Sequence, residues 1–99
     1  MKALIVIIIR HPDPRDKKTS AVHDYINTIK KVFKKRGFQV LKKDYSFFYT
    51  VIEIHPPKRL PRNWLDDKPI SFETYQFFAR CIQDKIEKKF EGKFEYKIF

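Results

Sequence analysis

The apolar positions fall into separate stretches, and their spacing changes from one stretch to the next. Ala3 to Ile9 is a run of seven apolar residues, mostly β-branched, with no alternation. A strand wet on one face alternates with period two, so this run predicts a central strand covered on both faces. It is far short of the roughly 20 apolar residues that cross a bilayer. Arg10 to Lys18 carries Pro12, Pro14 and alternating charges, which exclude helix and ladder there. Thr19 or Ser20 then offers an N-cap, and Val22, Tyr25, Ile26, Ile29, Val32 and Phe33 follow at helical spacing on one face. Lys34, Lys35 and Arg36 close that helix where cations oppose its dipole, and Gly37 suits the left-handed position that ends it.

Phe38 to Lys43 reads as a short strand with Phe38 and Val40 inward and Lys42 and Lys43 marking an exposed edge. After the turn Asp44-Tyr45-Ser46, Phe47 to Ile54 is a second strand apolar on both faces. Phe48, Ile52 and Ile54 take one side, and Phe47, Tyr49 and Val51 the other. His55 to Ile70 holds Pro56, Pro57, Pro61 and Pro69 and reads as a long connection carrying Lys58, Arg59, Arg62 and Trp64. Ser71 caps a second helix whose expected buried face is Tyr75, Phe78, Ala79, Ile82, Ile86 and Phe90, with Gly92 at its end. Phe94, Tyr96 and Ile98 alternate with Lys93, Glu95 and Lys97 in a final half-exposed strand.

The order β-α-β-β-α-β predicts an α+β domain over residues 1–99: a four-stranded, mainly antiparallel sheet with two helices on one face, in the ferredoxin-like arrangement or a variant of it. Its centre would be the two strands apolar on both sides, and its edges the two that carry lysines. The face away from the helices would then expose apolar side chains, which a monomer rarely tolerates. A homodimer closed over Phe47, Tyr49 and Val51 is the simplest cover.

Composition changes the picture in three ways. At 99 residues the chain forms one domain that buries roughly 60–65% of its unfolded surface, enough for a core without staples. The lone Cys81 has no intrachain partner; with no signal-peptide pattern after Met1-Lys2, an intracellular, reducing setting is expected. Twenty-two Lys and Arg against 12 Asp and Glu give a net charge of +10 and a pI near 9.8, which favours polyanions.

The cations concentrate at Lys30, Lys31, Lys34, Lys35, Arg36, Lys42 and Lys43, with no acid from Lys30 to Lys43. Such a rim suits contact with the phosphates of DNA or another polyanion, without base readout. The bland alternative is a solvated surface on a protein-interaction or structural module with no nucleic-acid role. An RNA-recognition motif is not matched: Tyr45-Ser46-Phe47-Phe48-Tyr49-Thr50-Val51 lacks its glycines and basic residue. His11, His23 and His55 offer no metal-ligand spacing, and Ser20 and Ser71 read as caps. Cys81, on the shoulder of a helix without a partner base, reads as a small buried residue. The expectation is therefore a protein with no catalytic residues, cofactor, metal or membrane insertion.

Two resemblances bear on function. Ala3 to Ile9, then Arg10-His11-Pro12-Asp13-Pro14, then Thr19-Ser20 and a helix is similar to the opening of flavodoxin-like quinone reductases over about the first 44 residues. That likeness implies a flavin or phosphate binder with His11 and Ser20 in its phosphate loop, on a chain too short for the family's five parallel strands. As a whole, the chain's length and its Lys, Ile, Tyr and Phe usage resemble the small proteins of the lipothrixviruses and rudiviruses, filamentous and rod-shaped viruses of hot acidic springs. The charged fraction of 34% agrees with a hot environment. This second resemblance implies a DNA-associated or assembly role inside an archaeal host cell and assigns no residue.

Overall fold

The structure, a computed structural model, describes residues 3–10, 20–44, 49–57, 62–63, 68–92 and 94–99. Strand β1 (Ile5–Arg10) leads to helix α1 (Ser20–Lys35), then β2 (Gln39–Asp44) and β3 (Tyr49–His55). A two-residue pair follows, β4 (Arg62–Asn63) and β5 (Lys68–Pro69), then helix α2 (Phe72–Phe90) and strand β6 (Glu95–Ile98). The fold is α+β. Its four-stranded sheet has the order β2-β3-β1-β6, antiparallel at every junction, which is the ferredoxin-like order. The flavodoxin-like reading requires neighbouring parallel strands, so it falls on topology, and with it the phosphate-loop roles of His11 and Ser20.

Register sets which side chains meet. Ile7 lies opposite Ile52 on β3 and Ile98 on β6, and Ile9 opposite Thr50 and Tyr96. Ile5, Ile7, Ile9, Ile52 and Ile54 are therefore on one face, where they form a single core with Val22, Tyr25, Ile26, Ile29 and Phe33 of α1 and Tyr75, Ala79, Ile86 and Phe90 of α2. Each such aliphatic side chain contributes about 1.5–3 kcal/mol by leaving water. Both helices thus cover one side of the sheet. Rings join the layers: Tyr25 packs on Phe90, Phe94 and Tyr96 at centroid distances of 5.2, 5.0 and 5.3 Å.

The second face of β1 is less dry than the unbroken apolar run implies. Val6 and Ile8 are only half-buried, and across the ladder from them stand Glu53 and Lys97. Tyr49, Leu41 and Phe99 are exposed large apolar residues, but Arg10, Glu95, Lys97, Lys43 and Glu53 stand between them in the alternation. The alternation confirms Tyr49 and Val51 on this face; Phe47 lies outside the described residues, as do Tyr45, Phe48, Trp64, Lys58, Arg59 and His11.

Three further expectations change. Within the His55 to Ile70 connection, Arg62 pairs with Pro69 and Asn63 with Lys68, a short antiparallel pair in place of a plain loop. Phe78 leaves the buried face of α2, being 47% exposed, and Gln83 occupies that face at 1%. Cys81 is exposed rather than buried. The physical reason is shared: α2 meets both α1 and β1, so its buried stripe rotates toward Tyr75, Ala79, Gln83, Ile86 and Phe90, a set spaced by three and four residues that passes Phe78 and Cys81 by.

Candidate nucleic-acid interface

The basic end of α1 is shaped by how the helix stops. Gly37 has φ +88°, its N–H donates to the Lys34 carbonyl at 3.0 Å, and the Phe38 N–H donates to the Phe33 carbonyl at 3.1 Å. This is the Schellman pattern, and its usual apolar contact is present as the Phe33 and Phe38 rings at 5.6 Å. Arg36 Nη1 donates to the Val32 carbonyl at 3.2 Å, adding a cation where the helix dipole is negative. Phe33 and Phe38 anchor the turn in the core, so the cations around them project outward.

Lys31, Lys34, Lys35 and Arg36 are exposed and Lys30 is half-buried. Lys30 and Lys34, and Lys31 and Lys35, are four residues apart, so they form two adjacent ridges on the helix. Among the described residues, no acid lies within ion-pair distance of any of these five cations. Lys42 and Lys43, the other two members of the sequence cluster, are separated from each other by the pleat. Successive residues on β2 point to opposite faces, so Lys42 shares the helix side with Ile52 and Lys43 the open side with Val51. Both are engaged with carboxylates, Lys42 with Asp44 at 3.8 Å and Lys43 with Glu53 at 3.9 Å. The structure therefore keeps five members of the expected rim together at the end of α1 and gives the other two opposite faces of the sheet, each beside a carboxylate.

It also brings in cations that the sequence cluster omits. A groove of about 280 Å³ runs between the helices, with Thr28 and Val32 of α1 and Arg36 just beyond its end on one wall and Ile82, Lys85, Ile86 and Lys89 of α2 on the other. Its floor is aliphatic and its rim cationic. Lys85 and Lys89 repeat at i and i+4 on α2, but only the packing of α2 on α1 joins them to Arg36. The acids of α2 take a different stripe: Asp84, Glu87 and Glu91 repeat at three and four residues on the flank nearer β6. Burial and the charges of Asp84 and Glu91 hold the Glu87 carboxyl above its ordinary range, while burial and Glu87 push the Tyr96 hydroxyl up. The three acids thus lie on a flank of α2 away from the groove, with Lys88 among them.

The sheet side has a different character. A depression of about 750 Å³ is lined by Ile8, Arg10, Tyr49, Phe94, Glu95 and Lys97 among others. Arg10 Nη1 donates to Glu95 Oε2 at 3.4 Å within it, so its charge is balanced. Toward the other end of β3 on the same face, His55 Nε2 and Glu53 Oε1 are 3.2 Å apart. Among the described residues no group of three or more His, Cys, Asp or Glu could hold a metal ion, and no helix is long and apolar enough to cross a membrane. No protein family, curated protein or solved structure matches the chain.

Proposed function

We propose that this protein binds nucleic acid through backbone phosphates, without base-specific readout and without catalysis. The observation that carries this reading is the C-terminal half of α1: Lys30, Lys31, Lys34, Lys35 and Arg36 on adjacent ridges, none of them paired with a described acid. Unpaired surface cations are the ones that condense on a phosphate chain and release its counterions. Lys85 and Lys89 extend the same positive surface across the groove, whose described lining contains no acid. The resemblance to small virus proteins of archaeal hosts points to DNA as the polyanion and to the host cytoplasm as the place.

Fluorescence anisotropy with labelled DNA, duplex and single-stranded, across a salt series tests the reading. Log affinity should fall steeply and linearly with log salt concentration; absence of binding to either form at low salt, or a slope near zero, overturns it.

Association into a homodimer belongs to the same reading and rests on a separate observation. Tyr49, Leu41 and Phe99 are exposed on the sheet face that carries no helix, beside half-buried Val6, Ile8 and Val51. A second copy docking there leaves both basic helix layers outward, where they reach a common nucleic-acid chain. Should the helix-layer cations bind no nucleic acid, this face is the basis of the alternative, a protein-interaction module.

A further inference from the structure

We infer that the groove between α1 and α2 holds a single strand of nucleic acid, with phosphates along Arg36, Lys85 and Lys89 and a base stacked on Phe78. The inference rests on the phosphate-binding reading and specifies the form of nucleic acid. Phe77 is 64% exposed and Phe78 47%, and their ring centroids are 6.2 Å apart at an interplanar angle of 57°. Two adjacent phenyl rings left in water on a helix that buries Tyr75 and Phe90 call for a partner. Phe78 is the ring whose place identifies that partner's chemistry; Phe77, about 100° further round the helix, shares a face with Glu73 and Asp84. Phe78 stands one turn before Ile82, which lines the groove, and Lys85 and Lys89 continue the same stripe. From Phe78 to Lys89 the stripe spans about 16 Å of helix, room for a few nucleotides.

A surface that sets a flat aromatic face at the head of a row of cations suits a chain that joins flat bases to phosphates. A duplex keeps the faces of its bases inside its own stack, so it offers the phenyl ring only sugars and phosphates. An acidic lipid surface fits less well, because the aliphatic floor of Val32, Ile82 and Ile86 is recessed between cations, whereas a bilayer is met by apolar groups that protrude.

The test compares labelled oligothymidine, a duplex of equal length and phosphatidylserine vesicles as probes for the wild type, Phe78→Ala, Phe78→Tyr and the off-groove control Phe77→Ala. Both rings are exposed, so the alanine variants keep the core, and circular dichroism confirms it for each. Phe78→Ala should bind oligothymidine about 5- to 150-fold more weakly, the range expected for the loss of one stacked base, and Phe77→Ala should lose clearly less. The salt slope of Phe78→Ala should match the wild type, its duplex affinity should not change, and Phe78→Tyr should retain stacking. Equal losses on duplex and single strand for Phe78→Ala, or no loss on either, overturn the single-strand inference and leave phosphate binding standing. Failure of the wild type to bind either nucleic acid overturns the phosphate reading itself. Vesicle binding that depends on Phe78, without oligothymidine binding, assigns the surface to a membrane instead.

Discussion

Replacing Lys31 and Lys35 together by alanine is the sharpest probe of how the positive charge is used. These two lysines are exposed, share one ridge of α1 and have no described acid within ion-pair distance. If all five cations from Lys30 to Arg36 meet phosphates of a duplex, log affinity should fall against log salt with a slope of about −4.5 per protomer, at about −0.9 per contact. Between 50 and 200 mM salt the wild type would lose a factor of about 500 in affinity. Without Lys31 and Lys35 the slope should flatten to about −2.7 and the loss shrink to about 40-fold. The matched control replaces Lys42 and Lys43. Their ammonium groups stand 3.8 and 3.9 Å from Asp44 and Glu53, so a phosphate must compete with carboxylates already in place. That pair should change the slope by clearly less than two contacts. Anisotropy with the same labelled duplex reads both variants. An equal flattening for the two pairs would refute the argument, since it would mean that total charge matters and its placement does not.

Three other outcomes follow from the structure. Gln83 Nε2 donates to the Tyr25 hydroxyl at 2.7 Å, and Gln83 Oε1 is already buried with no partner among the described residues; Tyr25→Phe and Gln83→Met should each cost about 1–3 kcal/mol by orphaning the other group. The double variant should cost clearly less than their sum in urea unfolding, and strict additivity would show that the two groups are not coupled. Because Glu87 has a raised carboxyl pKa in the folded chain, its charge opposes folding as pH rises from its ordinary value of 4.5 through the folded value, and the penalty vanishes below 4.5. Glu87→Gln should therefore stabilise by about 0.5–1 kcal/mol at pH 7, the sum of two like-charge contacts with Asp84 and Glu91, and by nothing in acid; a variant no more stable than wild type at pH 7 contradicts this. Sedimentation at micromolar concentration should show a dimer that Tyr49→Lys dissociates by placing an unpaired charge in the interface, and a monomeric wild type removes the dimer from the reading.

The α+β class and the strand order were legible in the chain because they depend on period and on which strands are apolar on both sides. Ala3 to Ile9 and the segment around Val51 to Ile54 could only be central, and the lysines of β2 and β6 could only be tolerated at edges. The C-terminal end of α1 was legible for a local reason: Gly37 takes a positive φ, and the Phe33–Phe38 contact across it is five residues long. The basic ridges on α1 followed from spacing alone. What sequence could not decide is everything set by rotation of one element about another. The turn of α2 against α1 and β1 withdrew Phe78 and Cys81 from the core, buried Gln83 against Tyr25, and placed Lys85 and Lys89 across a groove from Arg36. The pleat of β2 likewise split Lys42 from Lys43 and gave each its own carboxylate. A periodic stripe shows that a helix has a buried side, but only its packed neighbours fix where that side ends, because a helix turns by about 100° per residue and a rotation of that size exchanges a core position for a surface one.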